Sequence, residues 1–289
     1  MLAGRMVSAP VALSASWAGL SLARPLVMGI INVTPDSFSD GRRYQDAATA
    51  IARGAKLLAD GADILDIGGE STRPGAVPVS PEHEQDRILP VIRALAAQGA
   101  IISVDTRHAA TMAAALEAGG RIINDVSALR HDPAALAFVA ARACPVVLMH
   151  MRGTPNTMND LAVYADPAAE VLAELTALRD AAILAGVRPE NIALDPGIGF
   201  AKRGAQNTAL IHATARFAAL GHPIVIGLSR KRFLGEISGE PDPAKRDPES
   251  LAAGLFAVTL GAHILRVHDV AGTARALRIW QNFNVRDDE

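Results

Sequence analysis

The sequence has little cysteine, no long apolar run and no excess of charge of one sign. A single cysteine, Cys144, among 289 residues excludes an internal disulfide and is typical of a protein from a reducing compartment. No run reaches the ~20 apolar residues that span a bilayer. With 28 basic and 30 acidic residues, the net charge is −2, which gives no reason to expect nucleic acid or an anionic membrane as partner. We therefore expect a cytoplasmic protein with no nucleic-acid or membrane partner.

The first residues need a separate interpretation, because residues 7–23 are apolar and follow Arg5, as a signal peptide would. Pro10, interspersed serines and the lack of a dense leucine core speak against that alternative. We predict that residues 1–23 form an extension or a small capping hairpin. Residues 24–283 would form one domain and residues 284–289 a tail, since no linker or low-complexity segment divides the chain.

Short runs rich in Val, Ile and Leu recur eight times, with Ala-rich segments of helical spacing between them. The runs show no clear polar alternation, as expected for strands covered on both faces. Eight strand–helix repeats over about 250 residues predict a single (β/α)₈ TIM barrel, and a doubly wound open sheet is the alternative. The runs are LVMGIIN (26–32), ADILDI (62–67), AIISVD (100–105), RIINDV (121–126), PVVLMH (145–150), NIALDP (191–196), PIVIGLSR (223–230) and AHILRVH (262–268).

Proline and glycine predict where several helices begin and end. A capping side chain followed by proline predicts a helix start at Ser80, Asp132, Asp166 and Asp247. Glycine just after a helical segment predicts the helix end. These glycines are Gly61, Gly119, Gly186 and Gly261.

Every predicted strand ends in a polar residue or is soon followed by one. In a barrel the carboxyl ends of the strands meet on one face, where such folds place their sites, so we expect a polar pocket there. The alternative is that Asp and Asn simply begin loops, which is strongest for Asp66 alone. The residues are Asn32, Asp66, Asp105, Asn124, His150, Asp195, Ser229 with Lys231, and Arg266 with His268.

The residue types at these strand ends indicate the kind of ligand. Asp105, Asn124 and Asp195 suit a planar heterocycle with several N–H donors, because a carboxylate accepts two parallel N–H bonds. Two loops, at 29–44 and 68–81, follow the first two strands, and Thr72 and Arg73 supply phosphate-type donors without the spacing of a P-loop. We therefore expect a heterocycle that carries an anionic, phosphate-like group.

Seven motifs resemble those of dihydropteroate synthases, in order and at family-like separations, over about residues 24–280. That resemblance implies a (β/α)₈ barrel that joins 6-hydroxymethyl-7,8-dihydropterin pyrophosphate to 4-aminobenzoate. The products would be pyrophosphate and 7,8-dihydropteroate, in folate biosynthesis. It also implies Mg²⁺ as cofactor, a homodimer and a site for sulfonamides. The motifs are NVTPDSFSDG (32–41), DIGGESTRPGA (66–76), SVDT (103–106), NDV (124–126), DPGIGFAK (195–202), GLSRKRF (227–233) and RVHDV (266–270).

The same resemblance implies a role for each site residue. The pterin ligands would be Asp105, Asn124, Asp195, Lys231 and Arg266. The aminobenzoate wall would comprise Thr72, Pro74, Phe200 and Ser229, with Lys231 beside it. Pyrophosphate would meet Asn32, Arg73, Arg266 and His268, with Mg²⁺ near Asn32. The catalytic set would be Asp40, Arg73, Lys231, Arg266 and His268, in which Asp40 stabilises a pterin cation formed as pyrophosphate leaves.

Two positions depart from the family pattern, and two rival functions remain open. Arg42 stands in the first loop where a second glycine is common, and Ala201 stands where glycine is usual. One rival is a methyltransferase domain that passes the methyl group of methyltetrahydrofolate to a corrinoid protein. It needs no pyrophosphate pocket, so the STRPG, SRK and RVH stretches argue against it. The other is a non-catalytic pterin-binding paralogue, for which Arg42 is the hint. Arg152 is expected to be a surface charge, and His150 a solvent or packing residue.

Overall fold

A computed structural model describes residues 15–34, 43–72 and 75–284. Strands and helices alternate along these residues, as the sequence predicts. The elements are β1 (Ser16–Trp17), β2 (Leu20–Ser21), β3 (Leu26–Asn32), α1 (Arg43–Ala59), β4 (Ile64–Gly68), α2 (Pro81–Ala96), β5 (Ile102–Asp105), α3 (Ala109–Glu117), β6 (Ile122–Asp125), α4 (Ala135–Arg142), β7 (Val146–Met149), α5 (Pro167–Leu184), β8 (Ile192–Asp195), α6 (Ala205–His212), α7 (Thr214–Ala218), β9 (Val225–Ile226), α8 (Arg232–Ser238), α9 (Asp247–Thr259), β10 (Ile264–Val267) and α10 (Val270–Asn284).

Eight of these strands form one parallel sheet, in the order β8-β7-β6-β5-β4-β3-β10-β9. Its two outer strands meet, because Leu194 in β8 forms a parallel bridge with Ile224, just before β9. The Leu194 N–H also donates to the carbonyl of Pro223 at 2.9 Å. The sheet is therefore a nearly closed (β/α)₈ barrel with helices between its strands, and the open doubly wound alternative is wrong.

Two of the four predicted capping side chains are confirmed. Ser80 accepts a hydrogen bond from the N–H of His83 at the start of α2, and Asp166 accepts one from Ala169 at the start of α5. The four glycines predicted to follow helices all have positive φ, between 96° and 106°.

The start at Asp132 is wrong, and at Asp247 a helix does begin but the carboxylate does not cap it. Helix α4 begins only at Ala135, and the Asp132 carboxylate accepts from the N–H groups of Ala109 and Ala134, which joins the start of α3 to the turn before α4. Asp247 is the first residue of α9, and its carboxylate pairs with Arg230 at 2.6 and 2.7 Å.

The N-terminal hairpin closes the bottom of the barrel. Strands β1 and β2 pair antiparallel and carry Trp17, which is 1% exposed. Trp17 packs against the first residues of several strands, among them Leu26, Ile64 and Ile264, and its Nε1 donates to the carbonyl of Asn191 at 2.9 Å. The predicted capping hairpin is therefore confirmed for its described part, while residues 1–14 lie outside the described residues.

The apolar layer around Trp17 lies at the start of the strands, at the bottom of the barrel. In the described part of the chain, no helix has both the length and the apolar character needed to cross a bilayer.

Candidate active site

Four side chains from strand ends form a connected polar floor at the top of the barrel. Arg266 on β10 donates from Nε to Oδ2 of Asp66 on β4 at 2.6 Å, and from Nη2 to Oδ2 of Asp105 on β5 at 2.8 Å. Asn124 on β6 donates from Nδ2 to both Asp66 oxygens, at 3.2 and 3.3 Å. The predicted convergence of Asp105, Asn124 and Arg266 is confirmed. Asp66 lies fully buried at the centre of this cluster, so it does more than begin a loop.

Burial and charge oppose each other in this floor. Burial raises the pKa of Asp105 to about 7, and the Arg266 guanidinium acts against that shift. Burial disfavours the charged form of Arg266, but the carboxylates of Asp66 and Asp105 outweigh it and raise the pKa of Arg266. The Arg266 guanidinium is thus held between two carboxylates, and it would move only if a ligand supplied acceptors that replace them.

Asp195, Lys231 and Phe200 line the opposite side of the pocket. Asp195 ends β8, and its Oδ1 accepts from the N–H of Gly197 at 2.7 Å. The Lys231 ammonium donates to the carbonyl of Ile198 and lies 4.5 Å from the centre of the Phe200 ring. Burial lowers the pKa of Lys231 to about 8, while Asp195 opposes that shift. Burial also raises the pKa of Asp195.

Gly227 shows that the two sides of the pocket face one another. A Cβ added to Gly227, just after β9, would lie 3.8 Å from both Cδ of Arg266 and Oδ2 of Asp195. The missing side chain therefore leaves room for about one methyl group where the arginine of the floor comes near the carboxylate opposite.

Ser229 and His268 form a pair at the same end of the barrel. The Ser229 hydroxyl accepts from the backbone N–H of His268 at 3.2 Å and lies 3.0 Å from Nδ1 of that ring. Arg53 from α1 donates to the His268 carbonyl at 2.9 Å. The serine thereby bonds to both the backbone and the ring of His268, which fixes the orientation of the imidazole.

The remaining predicted residues lie at the rim or outside the described residues. Asn32 is the exposed last residue of β3 and pairs with Gly68 in the sheet. Thr72 is half-buried. The structure does not describe Asp40, Arg42, Arg73 or Pro74.

The base of the loop after β4 is braced by an ion pair between Glu70 and Arg107. Glu70 accepts from Arg107 at 2.7 and 2.8 Å and from the N–H of Val79 at 3.2 Å. Burial disfavours the Glu70 carboxylate, yet the hydrogen bonds from Arg107 and Val79 outweigh it and keep the pKa of Glu70 below its usual range. This brace fixes the loop just before Thr72.

A charged cluster beneath the β7 and β8 loops was missed by sequence reasoning. Arg152 is half-buried, donates to Glu170 and Glu174, and lies 3.9 Å from the centre of the Tyr164 ring, so the expected surface charge is wrong. Glu174 also bonds to Nε2 of His150 at 2.9 Å, and His150 is only 1% exposed. The helical position of Glu174, far along α5, gave no signal for this contact.

Comparisons with known proteins show the family of this chain. The family model described as pterin binding enzyme matches residues 28–268, and the barrel with its strand-end pocket defines an enzyme of that class. The dihydropteroate synthase of Neisseria meningitidis serogroup C is 48% identical over 270 residues, which are 92% of this chain and 95% of that one. This chain belongs to the dihydropteroate synthase family.

Two solved structures show the likeness in three dimensions. The dihydropteroate synthase of Xanthomonas albilineans in complex with 7,8-dihydropteroate matches with a TM-score of 0.84 and 46% identity, over 92% of this chain and 96% of that one. The Yersinia pestis enzyme with a sulfonamide drug matches with a TM-score of 0.87 and 39% identity, over 93% and 98%.

Proposed function

We propose that this chain condenses 6-hydroxymethyl-7,8-dihydropterin pyrophosphate with 4-aminobenzoate to give 7,8-dihydropteroate and pyrophosphate. The observation that carries the proposal is the floor of the pocket, in which Arg266 is held between Asp66 and Asp105 beside Asn124. Its chemistry suits the polar edge of a pterin. The 48% sequence identity to a dihydropteroate synthase, over 92% of this chain, supports the same conclusion.

Pterin recognition would rest on hydrogen bonds to buried carboxylates. The 2-amino-4-oxo edge of a pterin presents parallel N–H donors, which a carboxylate accepts in pairs. Asp195 lies beside Gly227 and is oriented by the N–H of Gly197, while Asp105 and Asn124 approach from neighbouring strands. Lys231 would donate to the carbonyl side of the ring, and Arg266 would stack on its face.

The reaction would proceed by departure of pyrophosphate before the amine attacks. The reacting carbon is an exocyclic methylene on an electron-rich dihydropterin, so its cation is delocalised. The enzyme then has mainly to stabilise separating charges and hold two rings in line. Arg266 and His268, with the undescribed Arg73, would meet the charge on the leaving group. Asp40, also undescribed, would stabilise the cation. The aniline nitrogen attacks as a weak base, so we assign no general base.

The aminobenzoate site would adjoin Phe200 and Ser229. The half-buried Phe200 ring offers an apolar wall for the second ring, and the Lys231 ammonium beside it suits the aminobenzoate carboxylate. Thr72 and Pro74 would complete the wall from the loop after β4. A sulfonamide, which has the same aniline ring, would occupy this site.

Mg²⁺ would enter bound to the diphosphate. No group of three His, Cys, Asp or Glu in the described part of the chain is arranged to hold a metal ion. Mg²⁺ keeps waters and phosphate oxygens as most of its ligands, so one protein oxygen on the exposed Asn32 fits such an ion. When bound, the ion would neutralise part of the charge on the departing pyrophosphate.

We also propose that the enzyme is a cytoplasmic homodimer. The single buried thiol of Cys144 is consistent with a reducing compartment. Helix α9 carries Phe256 with 43% of its surface exposed, and such a side chain suits an interface. Light scattering on the purified protein tests the dimer directly.

The test of the proposed activity is product formation from purified components. The protein is incubated with both substrates and Mg²⁺, and with each one omitted in turn. The proposal predicts dihydropteroate and pyrophosphate in equal amounts only when both substrates are present. A chain that binds the pterin but forms no product would instead be the non-catalytic paralogue. Methyl transfer from methyltetrahydrofolate to a corrinoid protein would identify the other rival.

A further inference from the structure

Lys202 is a buried lysine to which the proposed reaction assigns no role. It ends the DPGIGFAK motif and is 5% exposed. Its Nζ lies 2.9 Å from Nδ1 of His150, 3.2 Å from the His150 carbonyl, 3.0 Å from the Gly197 carbonyl and 2.9 Å from the Phe200 carbonyl. Each carbonyl can only accept, so Lys202 donates to the backbone of two separate loops, and its N–H groups are shared among four acceptors. Burial lowers the pKa of Lys202 well below its usual range, and the Asp195 carboxylate opposes that shift.

The bonds to Gly197 and Phe200 fix a segment with an unusual backbone. Gly197, Gly199 and Ala201 all have positive φ, at 70°, 80° and 51°. A Cβ on Gly197 would lie 2.0 Å from the His150 carbonyl oxygen, so this backbone passes too close for any side chain. Segment 196–201 is thus wrapped tightly around the Lys202 ammonium and the end of β7.

The same segment controls three groups in the candidate active site. Its Gly197 N–H orients Asp195, its Ile198 carbonyl accepts from Lys231, and its Phe200 ring lies against the Lys231 ammonium. Lys202 bonds to the carbonyls of Gly197 and Phe200 in the same segment. A shift of this segment would therefore move Lys231 and Phe200 together.

The far side of Lys202 is held by the cluster at His150. Burial, assisted by the Lys202 charge, lowers the pKa of His150 to about 4, so the ring is neutral and accepts from Lys202 at Nδ1. Nε2 then carries the proton and donates to Glu174, whose pKa is held at about 2 chiefly by the hydrogen bond from Arg152. Helix α5 thereby anchors the lysine through His150.

We propose that Lys202 is a positioning residue that holds segment 196–201 in the conformation in which Lys231 and Phe200 meet the two substrates. This inference rests on the proposed function, because its readouts are those of dihydropteroate formation. Two of the proposed pterin ligands, Asp195 and Lys231, bond to the segment, whereas Asp66, Asp105, Asn124 and Arg266 bond to one another. Loss of Lys202 therefore affects the aminobenzoate side and turnover most, and pterin binding to a smaller extent through Asp195 and Lys231.

The test compares Lys202→Met with Lys202→Gln and Arg152→Met. Methionine keeps the length of the side chain but donates no hydrogen bond, glutamine keeps two donors, and Arg152→Met removes charge from the distal end of the same cluster. For each variant, kcat, the KM for 4-aminobenzoate, the calorimetric Kd for pterin pyrophosphate and Tm are measured.

Lys202→Met is expected to lower kcat/KM for 4-aminobenzoate on the order of 100-fold, since an ångström of misplacement has effects of that size. Its pterin Kd is expected to rise by less, on the order of tenfold, because Asp195 and Lys231 shift with the segment while the floor at Arg266 stays intact. Lys202→Gln should recover part of the loss, and Arg152→Met should lower Tm with kinetics close to wild type.

Two results would overturn the inference. One is a folded Lys202→Met enzyme with unchanged kinetics, or an equal kinetic loss in Arg152→Met at a similar Tm. The other is failure of both Lys202 variants to fold, which would make the lysine a requirement of folding. A wild-type chain that forms no dihydropteroate would contradict the proposed function instead, so the two failures are distinguishable.

Discussion

Nε of Arg266 lies 2.6 Å from Oδ2 of Asp66, a residue 200 positions earlier in the chain. Their strands are not neighbours, because β3 runs between β4 and β10, so the arginine reaches across the top of the barrel. Burying an ion pair costs desolvation that the pair itself only partly recovers. We interpret this pair as preparing Arg266 for a ligand.

Asp66→Asn tests that interpretation. The substitution keeps the shape of the side chain but removes the charge that orients Arg266 and the amide of Asn124. We expect pterin pyrophosphate affinity to fall roughly 10- to 100-fold, the range for losing charged hydrogen bonds. Calorimetry measures it. Asp63→Asn, just before the other end of the same strand, breaks the Arg24 pair and should leave affinity unchanged. Equal affinities in all three proteins would refute the role of Asp66.

Gly227→Ala tests whether the space beside Gly227 is the ligand site. The added Cβ makes ordinary contacts, 3.8 Å from Arg266 Cδ and Asp195 Oδ2, so the fold tolerates it. It would nevertheless occupy volume that the pterin ring needs, and we expect binding about tenfold weaker or worse. Gly254→Ala on α9 is the matched control, with its Cβ 3.4 Å from Leu265 and outside the pocket. Tight binding to the Gly227→Ala protein would place the pterin elsewhere.

Trp17→Ala tests the hairpin as a cap on the barrel. It removes a buried ring from the apolar layer at Leu26 and Ile64, and such truncations cost about 3–5 kcal/mol. We expect urea unfolding to show that loss with both KM values unchanged. Trp17→Phe keeps most of the packing and loses the bond to the Asn191 carbonyl, so its loss should be near 1 kcal/mol. A stable Trp17→Ala chain would mean that the hairpin is dispensable.

The buried carboxyl group of Glu84 should make the free energy of unfolding depend on pH. Burial raises its pKa from 4.5 to about 7 in the folded chain, where Thr106 donates to its Oε2 at 2.8 Å. The folded state therefore keeps a proton that the unfolded state releases. Stability should fall as pH rises from about 4.5 through 7, by at most roughly 3 kcal/mol from this group.

Glu84→Gln should remove that fall, because an amide does not titrate. The variant should gain stability over wild type at pH 8 and not at pH 4. Denaturation at both pH values measures the difference, and Glu82→Gln, at an exposed position on the same helix, serves as control. Parallel pH profiles for wild type and Glu84→Gln would show that Glu84 is not the source.

Hydrophobic patterning predicted the barrel well, because each of the eight runs contains a strand of the sheet. Its limits appear where the chain leaves the sheet. Only Val225 and Ile226 of the run 223–230 are in β9, and the residues that follow turn toward the pocket. Local capping patterns failed at Asp132 and Asp247, where a partner distant in sequence competes for the carboxylate.

The site was predictable where strand ends supply it. Asp105, Asn124, Asp195 and Arg266 lie together because the topology of the barrel brings strand ends to one face. Contacts that helix and loop residues make with the site could not be predicted from the sequence in this way. Glu174 meets His150 from α5, and Lys202 serves a loop only after that loop has folded around it. The departure at Ala201 takes on a physical meaning in the structure, since its φ of 51° is a region that favours glycine.

The central claim is that buried strand-end carboxylates recognise the pterin. The most direct test is calorimetric titration of Mg²⁺ and pterin pyrophosphate, without aminobenzoate, into wild type and Asp195→Asn. The side-chain oxygen of the asparagine can still accept from the N–H of Gly197, so Tm should be unchanged. An asparagine side chain has no charge and only one oxygen, so it cannot accept two parallel N–H bonds from the pterin. We therefore predict that the affinity for pterin pyrophosphate falls on the order of 100-fold. A folded Asp195→Asn protein that binds the pterin as tightly as wild type would contradict the account.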